Sequence, residues 1–154
     1  MTARTHAEAF LRLHRIAVVG VSRKNRSFSR VLFREFLKRE YDAVPVNPAA
    51  RDIEDRPCFA RVQEIDPPVE GVLIMTPGNA LKTVLADCVA ADVKRVWIYG
   101  VLGPSRISED TIRYCDEHSL TVVPGYCPFM FFQEAGWMHR AHAWMARRMD
   151  KELR

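Results

Sequence analysis

The sequence predicts an α/β protein with a doubly wound, parallel five-stranded sheet in a Rossmann-like, three-layer arrangement. Short apolar runs rich in β-branched residues, such as 16–21, alternate along the chain with stretches of helical periodicity. Such runs fit strands that are buried on both faces, as in a parallel sheet. Helices between successive strands then form crossovers that cover both faces. With 154 residues and no repeat or linker, we expect a single domain over 1–154.

Residues that break regular structure mark where the predicted strands end. Asn47-Pro48 stops the second strand, because the residue before a proline avoids the helical region. Pro124-Gly125 is expected to end the fifth strand. The polar, proline-bearing segment 49–70 is expected to be a loop with one short helix at 60–64. The five strands are predicted at 16–21, 43–46, 72–75, 96–99 and 121–123.

Helical stripes and capping residues predict the helices between these strands. The first helix is expected to open at the capping box Thr5-His6-Ala7-Glu8. A stripe that begins at Phe28 marks the second helix, and we expect Phe28 and Phe33 in the core. A third stripe covers 81–89, and Ser108 is a good N-cap for the fourth helix.

An extra C-terminal helix is predicted at 137–151. Its tryptophan and methionine residues fall largely along one side. We expect this side either to pack on the domain's own sheet or to serve self-association into a homo-oligomer, because adaptable Met and aromatic residues are favoured at interfaces.

Positive charge is concentrated at the beginning of the chain. The net charge is +4, but residues 1–40 hold ten Lys or Arg against three Glu, which is +7. This distribution indicates an anionic partner or, alternatively, a solvated basic face. The alternating pattern fits no recognised DNA- or RNA-binding module, so nucleic acid is the minor alternative. No apolar run approaches the roughly 18 residues of a membrane span, and no membrane role is expected.

The turn after the first strand concentrates groups that bind phosphate. Gly20 lets the backbone turn and a phosphate approach closely. Ser22 offers a hydroxyl, and the next helix offers free N–H groups at its N-terminus. Cations are disfavoured at a helix N-terminus, so a bound polyanion would offset the cost of their clustering here. Four cations follow within eight residues, namely Arg23, Lys24, Arg26 and Arg30.

The same turn departs from the known fingerprints for NAD and ATP. Ser22 stands at the second glycine of G-x-G-x-x-G, and the second strand ends in Asn47 instead of an acidic residue for the NAD ribose. No Walker lysine is followed by Ser or Thr. Arg51 is placed to meet a 2′-phosphate, so an NADP-binding oxidoreductase or redox sensor stays open as the alternative function.

Two strand ends carry a family resemblance. Gly20-Val21-Ser22 and Val46-Asn47-Pro48 resemble the single-domain CoA-binding proteins, which are similar to the CoA-binding domain of the succinyl-CoA ligase alpha subunit. The resemblance covers roughly residues 10–127 in element order. It implies a CoA or acyl-CoA binding module rather than an enzyme, because the ligase's phosphate-accepting histidine lies in a second domain. The basic first loop suits the phosphates of CoA. The implied cofactor-binding residues are Gly20, Ser22, Arg23, Arg26, Asn47, Pro48, Thr76, Pro77, Tyr99 and Gly100.

The four cysteines indicate a cytoplasmic protein with free thiols. Cys58, Cys88, Cys115 and Cys127 show no C-x-x-C spacing, so no metal site is predicted. No export signal precedes them. Cys127 falls at the rim of the expected crevice. It is either a thiol for reversible disulfide exchange with the pantetheine arm, which requires a lowered pKa, or a half-buried apolar residue.

Overall fold

Seven strands and four α-helices form the part of the chain that this computed structural model describes, residues 2–132. The predicted helix at 137–151 and its self-association lie outside the described residues. The helices are α1 (Ala3–Leu11), α2 (Phe28–Lys38), α3 (Gly78–Ala90) and α4 (Glu109–Glu117). The strands are β1 (Arg15–Val19), β2 (Asp42–Val46), β3 (Asp52–Ile53), β4 (Arg56–Pro57), β5 (Gly71–Ile74), β6 (Arg95–Tyr99) and β7 (Thr121–Tyr126).

The predicted five-stranded parallel sheet is confirmed. Its order is β2-β1-β5-β6-β7, with every neighbouring pair parallel. The chain first builds outward from β1 to β2 and then returns to build β5, β6 and β7 on the other side. The direction of winding therefore reverses between β1 and β5. In doubly wound sheets, ligands bind beyond the carboxyl ends of the strands at this reversal.

Two apolar layers cover the two faces of the sheet, as the continuous apolar strands require. Along β1, Ile16 and Val18 pack on one face with α1 and α2, while Ala17 and Val19 pack on the other with α3 and α4. No helix within residues 2–132 is long and apolar enough to cross a membrane.

Two local predictions were wrong, one for the start of α1 and one for the end of β7. The cap of α1 is Thr2, whose hydroxyl accepts from the amide of Thr5, so Thr5 lies inside the helix that it was expected to open. Strand β7 continues through Pro124 to Tyr126, with a register shift opposite Ile98 and Tyr99. Proline is tolerated there because β7 is an edge strand.

The segment 49–70 contains more regular structure than the predicted loop. Strands β3 and β4 form a short antiparallel pair across a turn at Glu54 and Asp55, both with positive φ. A short 3-10 helix at Val62–Glu64 lies within the predicted helical stretch. The β3–β4 turn reaches α2, and this contact shapes the candidate site.

Candidate functional site

Gly20 joins the ends of three strands. Its φ is +92°, and an added Cβ would lie 3.1 Å from the backbone of Met75 and Thr76, which follow β5. Its amide donates to the carbonyl of Val46, the last residue of β2, at 3.0 Å. Glycine is required here because both the left-handed conformation and the close approach exclude a side chain.

Serine side chains order the loop between β1 and α2, residues 20–27, which we call the first loop. The amide of Ser22 donates to the hydroxyl of Ser29 at 3.0 Å, and the amide of Lys24 donates to the hydroxyl of Ser22 at 3.0 Å. Ser27 caps α2 by accepting from the amide of Arg30 at 3.3 Å. The first two amides of α2, those of Phe28 and Ser29, have no acceptor within the helix.

Arg30 is engaged by the protein itself, which corrects its inclusion among the phosphate-binding cations. Its Nη1 donates to the carbonyls of Ser22 and Arg23 at 3.1 and 3.3 Å. Its Nε donates to Glu54 at 2.6 Å, and Arg34 donates to the same carboxylate at 2.7 Å. Arg30 therefore holds the first loop in place.

The carboxylate of Glu54 completes this arrangement from the β3–β4 turn. Its burial acts to raise its pKa, but hydrogen bonds from Arg30 and Arg34 outweigh that effect and lower the pKa. Arg34 also donates to the carbonyl of Asn25 at 2.8 Å. Sequence reasoning missed Glu54 and Arg34, because the pairing joins a helix to a short hairpin 20 residues away that no local pattern predicts.

The remaining cations of the first loop point to solvent. Arg23, Lys24 and Arg26 are exposed, and none of them forms an ion pair within residues 2–132. They lie beside the capped amino end of α2, where the partial charge of the helix is also positive. The loop thus presents uncompensated positive charge at the point where the sheet reverses its winding.

Asn47 ties the end of β2 to the first loop. Its Nδ2 donates to the carbonyl of Val21 at 2.9 Å, and its Oδ1 accepts from the amide of Ala49 at 2.8 Å. Both ends of this side chain are therefore engaged by the backbone, whereas the neighbouring Pro48 is exposed. Asn47 therefore positions the first loop, whereas the side chain of Pro48 is accessible from solvent.

The junction between β5 and α3 leaves polar groups unsatisfied. The hydroxyl oxygen of Thr76 is buried and has no hydrogen-bond partner among the described residues. Pro77 precedes α3 and supplies no side-chain cap; its carbonyl accepts from the amide of Ala80 at 3.0 Å, and the amides of Gly78 and Asn79 have no acceptor within the helix. Nothing lies within 4 Å of a Cβ added to Gly78, which leaves this helix end open.

Tyr99 and Gly100 close the site on the side of β6. An added Cβ at Gly100 would lie 2.7 Å from the carbonyl oxygen of Gly125, and one at Gly125 would overlap the carbonyl of Gly103. Close main-chain contacts therefore fix this wall. Burial raises the pKa of Tyr99 to about 12, with a further contribution from Cys127.

Phe28 connects α2 to this wall and is not a core residue, contrary to the prediction. Its side chain is 38% exposed, whereas Phe33 is fully buried as expected. The Phe28 ring lies 5.4 Å from that of Tyr99, measured between centroids. Its position as the first residue of α2 was the available signal, since the first turn of this helix faces the strand ends.

Cys127 has the properties of a buried apolar residue. Its side chain is 2% exposed, and burial raises the pKa of its thiol to about 11. Burial likewise raises the pKa of Cys58, which is half-buried near the carbonyl of Asn47. A raised pKa disfavours the thiolate that disulfide exchange requires.

Comparison with known proteins agrees with this architecture. A hypothetical protein from Pyrococcus horikoshii OT3 has a TM-score of 0.73 at 23% identity, over 83% of this chain and 87% of that chain. The dinucleotide-forming acetyl-coenzyme A synthetase 1 of Ca. Korarchaeum cryptofilum, solved with phosphate and ADP, has a TM-score of 0.63 at 23% identity. That match covers 71% of this chain and 25% of the synthetase. Both similarities show the fold.

Two sequence comparisons cover most of the chain. The uncharacterized protein YneT of Bacillus subtilis (strain 168) is 25% identical over 120 residues, which is 78% of this chain and 86% of YneT. A family model described as CoA binding domain matches residues 14–133. The match spans the whole sheet, and the chain therefore belongs to the family of CoA binding domains.

Proposed function

We propose that this protein is a non-catalytic binding module for CoA or an acyl-CoA and that the first loop holds the phosphates of the cofactor. The family match supports CoA and gives no support to NADP. The observation that carries the proposal is the exposed charge of Arg23, Lys24 and Arg26 at the sheet's reversal point, which has no ion-pair partner in the described part of the chain. Phosphate groups form strong, charge-assisted hydrogen bonds with such side chains.

Residues outside the first loop fix its conformation, so that its exposed positive charge is available to a ligand. Arg30 and Arg34 hold the carbonyls of the loop, and Asn47 holds it from β2. The loop is consequently ordered before a ligand arrives, so less conformational entropy is lost on binding. We propose that Pro48, Thr76, Pro77, Tyr99 and Gly100 contact the rest of the cofactor along the strand ends.

The residue types at the site favour binding over chemistry. Within residues 2–132, the carboxyl ends of the strands of the five-stranded sheet carry no histidine and no carboxylate, the common side chains for acid–base catalysis. Cys127 is buried with a raised pKa. All four cysteines are free thiols, which supports the proposed cytoplasmic location.

Calorimetric titration of the full chain with CoA tests the proposal. The double variant Arg23→Ala/Arg26→Ala is expected to bind CoA at least about tenfold more weakly, because each charge-assisted contact contributes about 1.5–3 kcal/mol. Arg12→Ala/Arg95→Ala is the matched control, since these two exposed arginines lie near the opposite ends of the strands and are unpaired within residues 2–132.

Three results would contradict the proposal. The first is that the wild-type chain does not bind CoA. The second is that the variant Arg23→Ala/Arg26→Ala keeps its affinity for CoA. The third is that the control variant Arg12→Ala/Arg95→Ala loses as much affinity as the site variant. The last result would mean that net charge alone attracts the cofactor.

A further inference from the structure

A cavity of about 420 Å³ opens beside the first loop, between the amino end of α3, the carboxyl end of β6 and the amino end of α4. Leu81, Ile98 and Ile107 supply apolar walls, and Gly100 and Gly125 supply main chain. A volume of this size is within the range of small-ligand sites. The cavity is open to solvent and has both apolar and polar side chains in its lining.

The charged residues around this cavity all have the same sign. Among residues 2–132, Lys82 and Arg106 line it and no carboxylate does. Both side chains are exposed, and neither forms an ion pair in the described part of the chain. Two cations that converge on one concave surface raise its positive potential and favour an anionic ligand.

The junction between β5 and α3, with the polar groups described above, lies beside the same cavity. Thr76, with its buried and unpartnered hydroxyl, lines it. So does Gly78, the first residue of α3, whose N-cap Pro77 accepts no hydrogen bond through its side chain. Buried polar groups in folded proteins are normally paired, so this combination indicates a group that binds there.

The cavity and the first loop share a wall. Thr76 lines the cavity and packs against Gly20, which begins the first loop. Tyr99 lines the cavity and contacts Phe28, which begins α2. A ligand whose phosphates lie on the first loop therefore has its other end within reach of the cavity.

We propose that this cavity receives the acyl end of a CoA thioester and favours acyl chains that end in a carboxylate. The inference rests on the proposed function, which places the cofactor phosphates on the first loop. The methylene groups of such a chain pack on Leu81, Ile98 and Ile107. Its carboxylate meets Lys82 and Arg106, and an arginine side chain can bind both carboxylate oxygens.

Titration of the full chain with three cofactors isolates the terminal carboxylate. Glutaryl-CoA and pentanoyl-CoA have chains of equal length that end in a carboxylate and a methyl group, and CoA has no acyl group. We expect glutaryl-CoA to bind about tenfold more tightly than pentanoyl-CoA, the effect of one charge-assisted contact.

A double variant tests the assigned residues. Lys82→Gln/Arg106→Gln is expected to remove the preference for glutaryl-CoA and to leave the affinity for CoA within about twofold. Lys38→Gln/Arg12→Gln is the matched control, because both residues are exposed and lie at the carboxyl ends of α2 and α1. It should keep the preference. Thermal melts of both variants verify that they are folded.

The outcomes separate this inference from the proposed function. If CoA binds but glutaryl-CoA binds no more tightly than pentanoyl-CoA, the inference is wrong and the proposed function stands. If Lys82→Gln/Arg106→Gln weakens CoA and glutaryl-CoA equally, the cavity holds the cofactor's own phosphates and the inference is again wrong. If the wild-type chain binds none of the three cofactors, the proposed function fails.

Discussion

The first loop and the junction between β5 and α3 lie side by side where the sheet reverses its winding. They differ in how far their polar groups are hydrogen-bonded within the chain. The first loop is capped by Ser27 and braced by Arg30, so most of its backbone polar groups are satisfied within the chain. The junction between β5 and α3 has a helix without a side-chain cap, and the hydroxyl of Thr76 there has no partner among residues 2–132.

The two regions therefore present different groups to an anion. The first loop offers long, exposed cations on an ordered backbone, which suits phosphates that stay partly in water. The junction offers a hydroxyl, backbone amides and two cations around a partly enclosed space, where each contact gains strength from the lower dielectric constant. Substitutions in the first loop and at the junction between β5 and α3 should consequently differ in whether they change the free energy of unfolding or the affinity for a ligand.

The largest expected effect concerns the glycines of the two regions. Gly20→Ala should lower the free energy of unfolding by about 2–3 kcal/mol, because φ is +92° and the Cβ presses on Thr76. Gly78→Ala should be neutral or stabilising by up to about 1 kcal/mol, because its Cβ enters open space and the unfolded chain loses freedom. Urea unfolding of both variants measures this contrast, and equal effects would refute it.

An intermediate effect separates the engaged cation Arg30 of α2 from the exposed cations of the first loop. Arg30→Ala should lower the free energy of unfolding by about 1–2 kcal/mol, because two carbonyls and Glu54 lose a donor. Arg23→Ala should change it by less than about 0.5 kcal/mol. Chemical denaturation compares the two variants. A destabilisation by Arg23→Ala as large as that by Arg30→Ala would show that both arginines are structural.

The smallest effect should depend on pH. The folded pKa of Glu54 is lowered, so its stabilisation is complete above the unfolded pKa, about 4.3, and is lost as the pH falls through the folded value. Glu54→Gln should therefore be less stable than the wild type by about 1 kcal/mol or less at pH 7, with the difference narrowing below about pH 4. Urea unfolding from pH 3 to 7 tests this.

Glu117→Gln is the control for this titration, because Glu117 is exposed and unpaired within residues 2–132. Its difference from the wild type should stay small at every pH. A Glu54→Gln effect of constant size across the range would contradict the assigned role of the ion pair.

The sheet could be predicted because its signal is local. The apolar run from Ile16 has a period and a composition that are independent of the rest of the chain, and the parallel sheet follows from the alternation with helices. The end of β7 could not be predicted, because Pro124 breaks most strands and is accommodated here by the edge position.

Local pattern predicted the candidate site only where one loop carries it, and the site residues at the other strand ends were expected from the family resemblance. Gly20 and the exposed arginines are adjacent in sequence, so their clustering was visible. The engagement of Arg30 depends on Glu54, and the cavity depends on how Lys82 and Arg106 converge from different helical segments. Such groupings arise from tertiary packing, which a pattern of period 2 or 3.6 does not contain.

The glycine contacts beside β6 have a consequence for how binding specificity can diverge among related chains. Gly100 and Gly125 hold their backbones too close to neighbouring main chain for any Cβ, so main chain fixes this flank of the cavity. Side chains such as Lys82 are attached to the opposite flank. Substitution of such side chains can therefore change the polarity and charge of the cavity while its shape on the glycine side stays the same.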